Sequence, residues 1–151
     1  MRLAIALTIL LIGFIACNGE DDQLLSYQNT VQVGLYSMHT HNDTTLTEIK
    51  IWGIGREDSL LYDIPSASSL YMNLNMNQDT TAFVFCTQTL QDEISFSYTR
   101  SIEPVSGAGG ITMEMNLNQV KHTQVFIDSV AIKHRAIKYN ENIENIQIFV
   151  Y

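Results

Sequence analysis

Apolar and polar residues alternate with period two along most of this chain. Leu70, Met72, Leu74 and Met76 interleave with Tyr71, Asn73, Asn75 and Asn77, the pattern of a strand with one apolar and one polar face. Ile111, Met113, Met115 and Leu117 against Thr112, Glu114, Asn116 and Asn118 repeat it, as do Ile94, Phe96 and Tyr98 against Ser95, Ser97 and Thr99. Less regular β-rich runs lie at 30–38, 46–54, 60–64, 82–86, 125–133 and 146–150. No stretch sustains the helical period over a helical length.

Turn chemistry separates these runs. Gly55-Arg56-Glu57-Asp58 and Asn77-Gln78-Asp79-Thr80 predict short hairpin connections, and Gly107-Ala108-Gly109-Gly110 predicts a flexible loop. Pro65 and Pro104 fall at run ends, where a missing ladder donor does least harm. The pattern predicts an all-β domain: an antiparallel β-sandwich, immunoglobulin-like, of about eight strands, with a small β-barrel as the alternative.

The first residues follow a different pattern. Met1-Arg2 precedes an apolar run from Leu3 to Ala16 broken only by Thr8 and Gly13, shorter than the ~20 residues that span a bilayer. This predicts a signal peptide. Phe14-Ile15-Ala16-Cys17 resembles a bacterial lipobox, although Phe14 departs from the usual Leu. The resemblance implies cleavage between Ala16 and Cys17, with lipid on the Cys17 thiol and on its freed amine. The expected division is 1–16 signal peptide, 17–29 lipidated Cys and acidic tether, and 30–151 β-sandwich domain. Glu20-Asp21-Asp22 fits a solvated spacer, and it also resembles the surface-export signal of Bacteroidetes lipoproteins. The outer membrane is therefore the expected address, with the cell-surface and periplasmic faces both open.

Charge narrows the partners. Among 151 residues, 16 Asp and Glu outweigh 8 Lys and Arg, for a net charge of -8. No basic patch is available to neutralise phosphates, so nucleic acid is excluded as an expected partner. The lipid anchor itself implies a membrane as one partner. With Cys17 acylated, Cys86 has no second cysteine to pair with, and stability must come from the core.

Few residues suggest chemistry. His39-Thr40-His41-Asn42-Asp43 is the one cluster with metal-ligand character, since on a strand His39 and His41 would share a face with Asp43 nearby. The same residues are ordinary in a loop, and no third ligand stands at a recognisable spacing, so no metal or other cofactor is assigned. Cys86 ends the apolar run Phe83-Val84-Phe85 without a neighbouring His and reads as a small buried hydrophobe. The 107–110 glycines lack the Lys and Ser/Thr of a phosphate loop. Glu57-Asp58 and Asp92-Glu93 read as solvated acid pairs at turns. Asp128, the charged position inside Ile127-Asp128-Ser129-Val130, reads as a carboxylate bonded to a turn or edge amide. Trp52, Tyr62 and Tyr71 offer a stacking platform for a glycan or a protein if one sheet face carries all three.

The order of segments Asp58–Tyr62, Ser68–Leu74, Asp79-Thr80-Thr81, Thr123–Ile132 and Tyr139–Phe149 resembles a family of small uncharacterised Bacteroidetes lipoproteins, a domain of unknown function. The resemblance implies a lipobox-anchored β domain in the cell envelope and names no active site. The sequence thus points to a non-enzymatic outer-membrane lipoprotein, an accessory subunit or partner of an envelope protein such as a β-barrel. A surface glycan- or nutrient-binding module is the alternative, its small-molecule ligand unidentified.

Overall fold

The computed structural model describes residues 29–104, 111–138 and 141–151. The cleavage site at Ala16 and Cys17, the tether and the 107–110 loop lie outside these residues. The described chain is all-β. Its strands are β1 (Thr30–Ser37), β2 (Leu46–Gly53), β3 (Leu60–Ala67), β4 (Ser69–Asn73), β5 (Thr80–Thr87), β6 (Leu90–Pro104), β7 (Ile111–His122), β8 (Ile127–Ile132), β9 (Ala136–Ile137) and β10 (Ile146–Val150).

Two sheets form a sandwich that does not close into a barrel. One has the order β4-β1-β10-β8, the other β3-β2-β5-β6-β7-β9. Alternation explains the layers. Val31, Val33 and Leu35 on β1, Leu70 and Met72 on β4, and Ile146, Ile148 and Val150 on β10 meet Ile49, Ile51, Phe83, Phe85, Ile94, Phe96, Tyr98 and Leu117 from the larger sheet. Burying a side chain of this kind stabilises by roughly 1.5–3 kcal/mol, which makes the core the main support of a fold without a disulfide.

Three sequence expectations change, and one strand was not foreseen. β1 and β10 pair in parallel, because both strands start from the same end of the sandwich, so one sheet is mixed and not wholly antiparallel. The 77–80 segment is no hairpin turn: β4 and β5 belong to different sheets, and their connection crosses the sandwich. Pro65 lies inside β3, tolerated because β3 is an edge strand. It stands opposite Glu48, whose φ of 53° interrupts the strand at the position where the ladder donor is missing. The two-residue β9 carried no periodic signal at all.

Buried polar residues hold the connections that cross between sheets. The Tyr98 hydroxyl on β6 reaches the β4–β5 connection, donating to Asn75 O at 2.8 Å and sharing a hydrogen with Thr81 Oγ1 at 2.7 Å. Thr81 Oγ1 in turn accepts from Asn75 N at 2.8 Å. Tyr98→Phe should therefore cost about 1–2 kcal/mol, with the spectrum of a folded β protein retained, as read by urea melts. A loss below a few tenths would show that the hydroxyl does not hold the crossover.

Candidate functional site

A concavity lies at the end of the sandwich where the described chain begins. Asn29 O accepts from Leu74 N at 2.8 Å, the Asn29 side-chain amide donates to Leu74 O, and Leu74 is one wall of a cleft of about 740 Å³. The β2–β3 turn forms the other wall. There Gly55 adopts φ 75°, a conformation that favours glycine, and Arg56 N bonds Gly53 O at 2.9 Å. Leu74, Ala82 and Phe83 supply an apolar floor, while Asn73, Asn75, Gln78 and Thr80 rim it with amides and a hydroxyl. Ile54, Leu60 and Leu61 are exposed at the mouth, and Met76 is exposed beside it on the β4–β5 connection. A space of this kind suits an apolar body with polar edges. No pair of acid and base groups is positioned in its described lining for proton transfer.

The aromatic residues singled out from sequence do not form one platform. Trp52 is on the outer face of the larger sheet opposite Val84, half-buried, with its indole Nε1 buried and unbonded among the described residues. Tyr62 points inward and packs against the core. Its hydroxyl accepts from Tyr71 N at 2.8 Å and donates to Tyr71 O at 3.1 Å, so it fastens the edge of β4 to β3 across the two sheets. Tyr71 presents its exposed ring on the outer face of the smaller sheet. The three lie on three different surfaces. Tyr62→Phe should lose about 1 kcal/mol and speed exchange of the Tyr71 amide, measured by NMR hydrogen exchange.

The histidine cluster also differs from the strand expected. His39 and His41 are exposed on the turn after β1, with His41 at φ 56°. The His41 ring packs at a tilt against Phe149, with centroids 5.5 Å apart, and Asp43 pairs by a backbone bridge with Tyr36. Among the described residues, no three His, Cys, Asp or Glu side chains converge on one point.

The cluster nonetheless borders an aromatic group that the sequence reading missed. Tyr36 packs against Phe149 at 5.7 Å, and its hydroxyl meets the Glu144 carboxylate at 3.0 and 3.2 Å. Gln147 Nε2 donates to the same carboxylate at 2.8 Å. Burial, together with the hydrogen bond the phenol donates to Glu144, holds Tyr36 above its ordinary range. Gly34 makes this possible: a Cβ there would stand 2.0 Å from Glu144 Oε2 and 2.7 Å from the Tyr36 ring. Gly34→Ala should push Glu144 aside, cost about 1–2 kcal/mol and bring the Tyr36 titration back down, visible by NMR of the phenol ring. The sequence marked 30–38 only as a β-rich run, and nothing in it links Gly34 and Tyr36 to Glu144.

Two carboxylates exchange the roles expected of them. Asp128 is half-buried and accepts from its neighbour Ser129 at 2.9 Å, not from an edge amide. Asp92 lies within β6 and not at a turn, and it is 1% exposed. Its Oδ1 accepts Thr123 Oγ1 at 2.5 Å and Val125 N at 2.9 Å, while Oδ2 accepts Phe126 N at 2.7 Å and Ile127 N at 2.8 Å. Burial opposes its ionisation, but the Thr123 hydroxyl and the three amides outweigh burial and hold the carboxyl below its ordinary range. Asp92 thus clamps the connection from β7 to β8. Cys86 is half-buried on the outer face of β5, where the sequence suggested a core thiol.

No curated protein and no solved structure matches the chain. A family model matches residues 48–150, from within β2 to the end of β10, leaving out β1 although that strand sits between β4 and β10. The chain accordingly belongs to a family of unknown function, DUF6452.

Proposed function

We propose that this chain is a lipid-anchored accessory subunit of an envelope protein, such as an outer-membrane β-barrel, and that it works by binding and not by catalysis. The observation that carries this reading is positional. The chain comes into the sandwich at Asn29, beside the cleft, on the end where Ile54, Leu60, Leu61 and Met76 are exposed. From Cys17 to Asn29 a fully extended chain reaches at most about 40 Å, so an anchor on Cys17 keeps that apolar end near the membrane. The lipobox-like run and the acidic residues at 20–22 support an outer-membrane lipoprotein of the Bacteroidetes kind.

A second reading, a surface glycan- or nutrient-binding module, draws on Tyr36, Phe149 and His41 with Glu144 and Gln147 beside them, since rings and paired hydrogen-bonding groups suit sugars. The anchor is tested by the mature mass and by Cys17→Ser. Loss of residues 1–16 with added acyl mass, and release of the Cys17→Ser protein into the soluble fraction, are expected. A wild-type chain that keeps residues 1–16, or a Cys17→Ser protein that stays in the membrane, would contradict it.

A further inference from the structure

The inner face of the larger sheet continues past the end of the sandwich. Ile94, Phe96 and Tyr98 on β6, with Met115 and Leu117 on β7, are buried between the sheets. The same faces run on through Ile102 and Pro104 on β6 and through Met113 and Ile111 on β7, where Ile102 pairs with Met113 and Pro104 with Ile111. Burial fades along this line, from Met115 at 2% exposed to Ile102 at 67% and Ile111 at 76%. The other face of the ribbon carries Thr99, Ser101, Glu103, Glu114 and the buried Thr112. The arm therefore keeps the two-faced pattern of a sandwich strand, and beyond Met113, which is half-buried against the core, no described layer covers its apolar side.

The arm is also held in place. Beyond Tyr98 no described strand pairs with the outer edge of β6, and a two-stranded ribbon alone is marginal. Arg100 compensates at its base. Its guanidinium forms an ion pair with Asp79 at 2.8 Å and donates from Nη1 to Met76 O at 2.7 Å. The arm thus projects from the same end of the sandwich as Asn29 and the cleft.

We infer that the exposed apolar side of this arm, Ile102, Pro104 and Ile111, is the contact surface for a membrane-embedded protein, and that it takes an apolar segment flanked by Lys or Arg. The inference rests on the lipid-anchored subunit reading, and it names the surface that reading leaves open. The short reach from Cys17 keeps the arm at the membrane. Glu103 and Glu114 stand on the reverse face of the same two-stranded ribbon, and the Arg100 charge is matched by Asp79, so the ribbon as a whole carries net negative charge. That charge complements a basic rim on a protein and disfavours bare anionic lipid.

The test places a photo-cross-linking amino acid at Ile102, at Ile111, or at Leu90 on the opposite end, in the full lipidated chain in its own membrane. We expect adducts from Ile102 and Ile111 to one integral membrane protein, with the cross-linked peptide carrying an apolar run next to Lys or Arg. Ile102→Asp should cut that adduct at Ile111 at least tenfold while leaving the melting curve unchanged. Protein adducts from Leu90 alone would overturn the surface and leave the subunit reading standing. Adducts from Ile102 confined to lipid, to a second copy or to the chain's own residues before Asn29 would overturn the inference as well. No intermolecular adduct from any of the three positions would overturn both.

Discussion

Replacing Asp92 with Ala is expected to lower the unfolding free energy by about 3–5 kcal/mol, the largest effect of any single polar substitution in the domain. The carboxylate receives the Thr123 hydroxyl and the amides of Val125, Phe126 and Ile127 inside the fold, and an Ala leaves those donors facing an apolar space. The clamp also joins the two sheets, because β8 leaves it for the smaller sheet while β6 belongs to the larger. A pH signature accompanies the loss. The folded carboxyl titrates below its unfolded value near 3.9, so its contribution is fully present above that value and disappears as pH falls through the lower folded one. Urea melts of the parent should weaken as pH falls below about 4, and Asp92→Asn should lack that portion of the acid sensitivity. A parent and variant with parallel acid profiles would contradict the assignment.

Asn145→Asp is expected to rank next, at about 3 kcal/mol or more, with Asn145→Ala at about 2–4 kcal/mol. The side chain is buried, its Oδ1 accepting from Gln32 N at 2.9 Å and its Nδ2 donating to Ala136 O at 3.1 Å and His134 O at 3.3 Å. Its own amide donates to Gln32 O at 2.9 Å. These bonds tie β1 in one sheet to β9 in the other. An Asp keeps the shape but turns a charged oxygen toward two carbonyls, which is why it should cost more than truncation. Equal stability of the Asp and Ala variants in denaturant melts at neutral pH would show that the donors do not matter.

Both positions show what alternation reveals and what it hides. The strands of the core were legible because a period of two states which side chains face inward, and Ile94, Phe96, Tyr98, Leu70 and Met72 all lie where it put them. Alternation says nothing about which strand pairs with which, so the parallel β1–β10 pair and the crossover from β4 to β5 were beyond it. Asp92 occupied an inward position by parity, yet its neighbour Glu93 made the pair resemble a solvated turn. The donors that explain it stand more than thirty residues later in the chain. The tight β5–β6 turn gave no signal either, since Gln88 takes φ 51° without a Gly or Asn. The cleft is assembled from the β2–β3 turn and the β4–β5 connection, which no local pattern relates. The β7 half of the arm, by contrast, lay in the alternation from Ile111 to Leu117, where exposure distinguishes Ile111 from core, while on β6 the charge of Arg100 breaks the apolar line between Tyr98 and Ile102.

The account depends most on the claim that this domain is one part of a membrane-bound assembly. The most direct measurement is a pull-down of the tagged, lipidated protein from outer membranes in mild detergent, with mass spectrometry of what remains bound. The account predicts an integral membrane protein in fixed stoichiometric ratio. Recovery of the lipoprotein alone, intact and acylated, would contradict it.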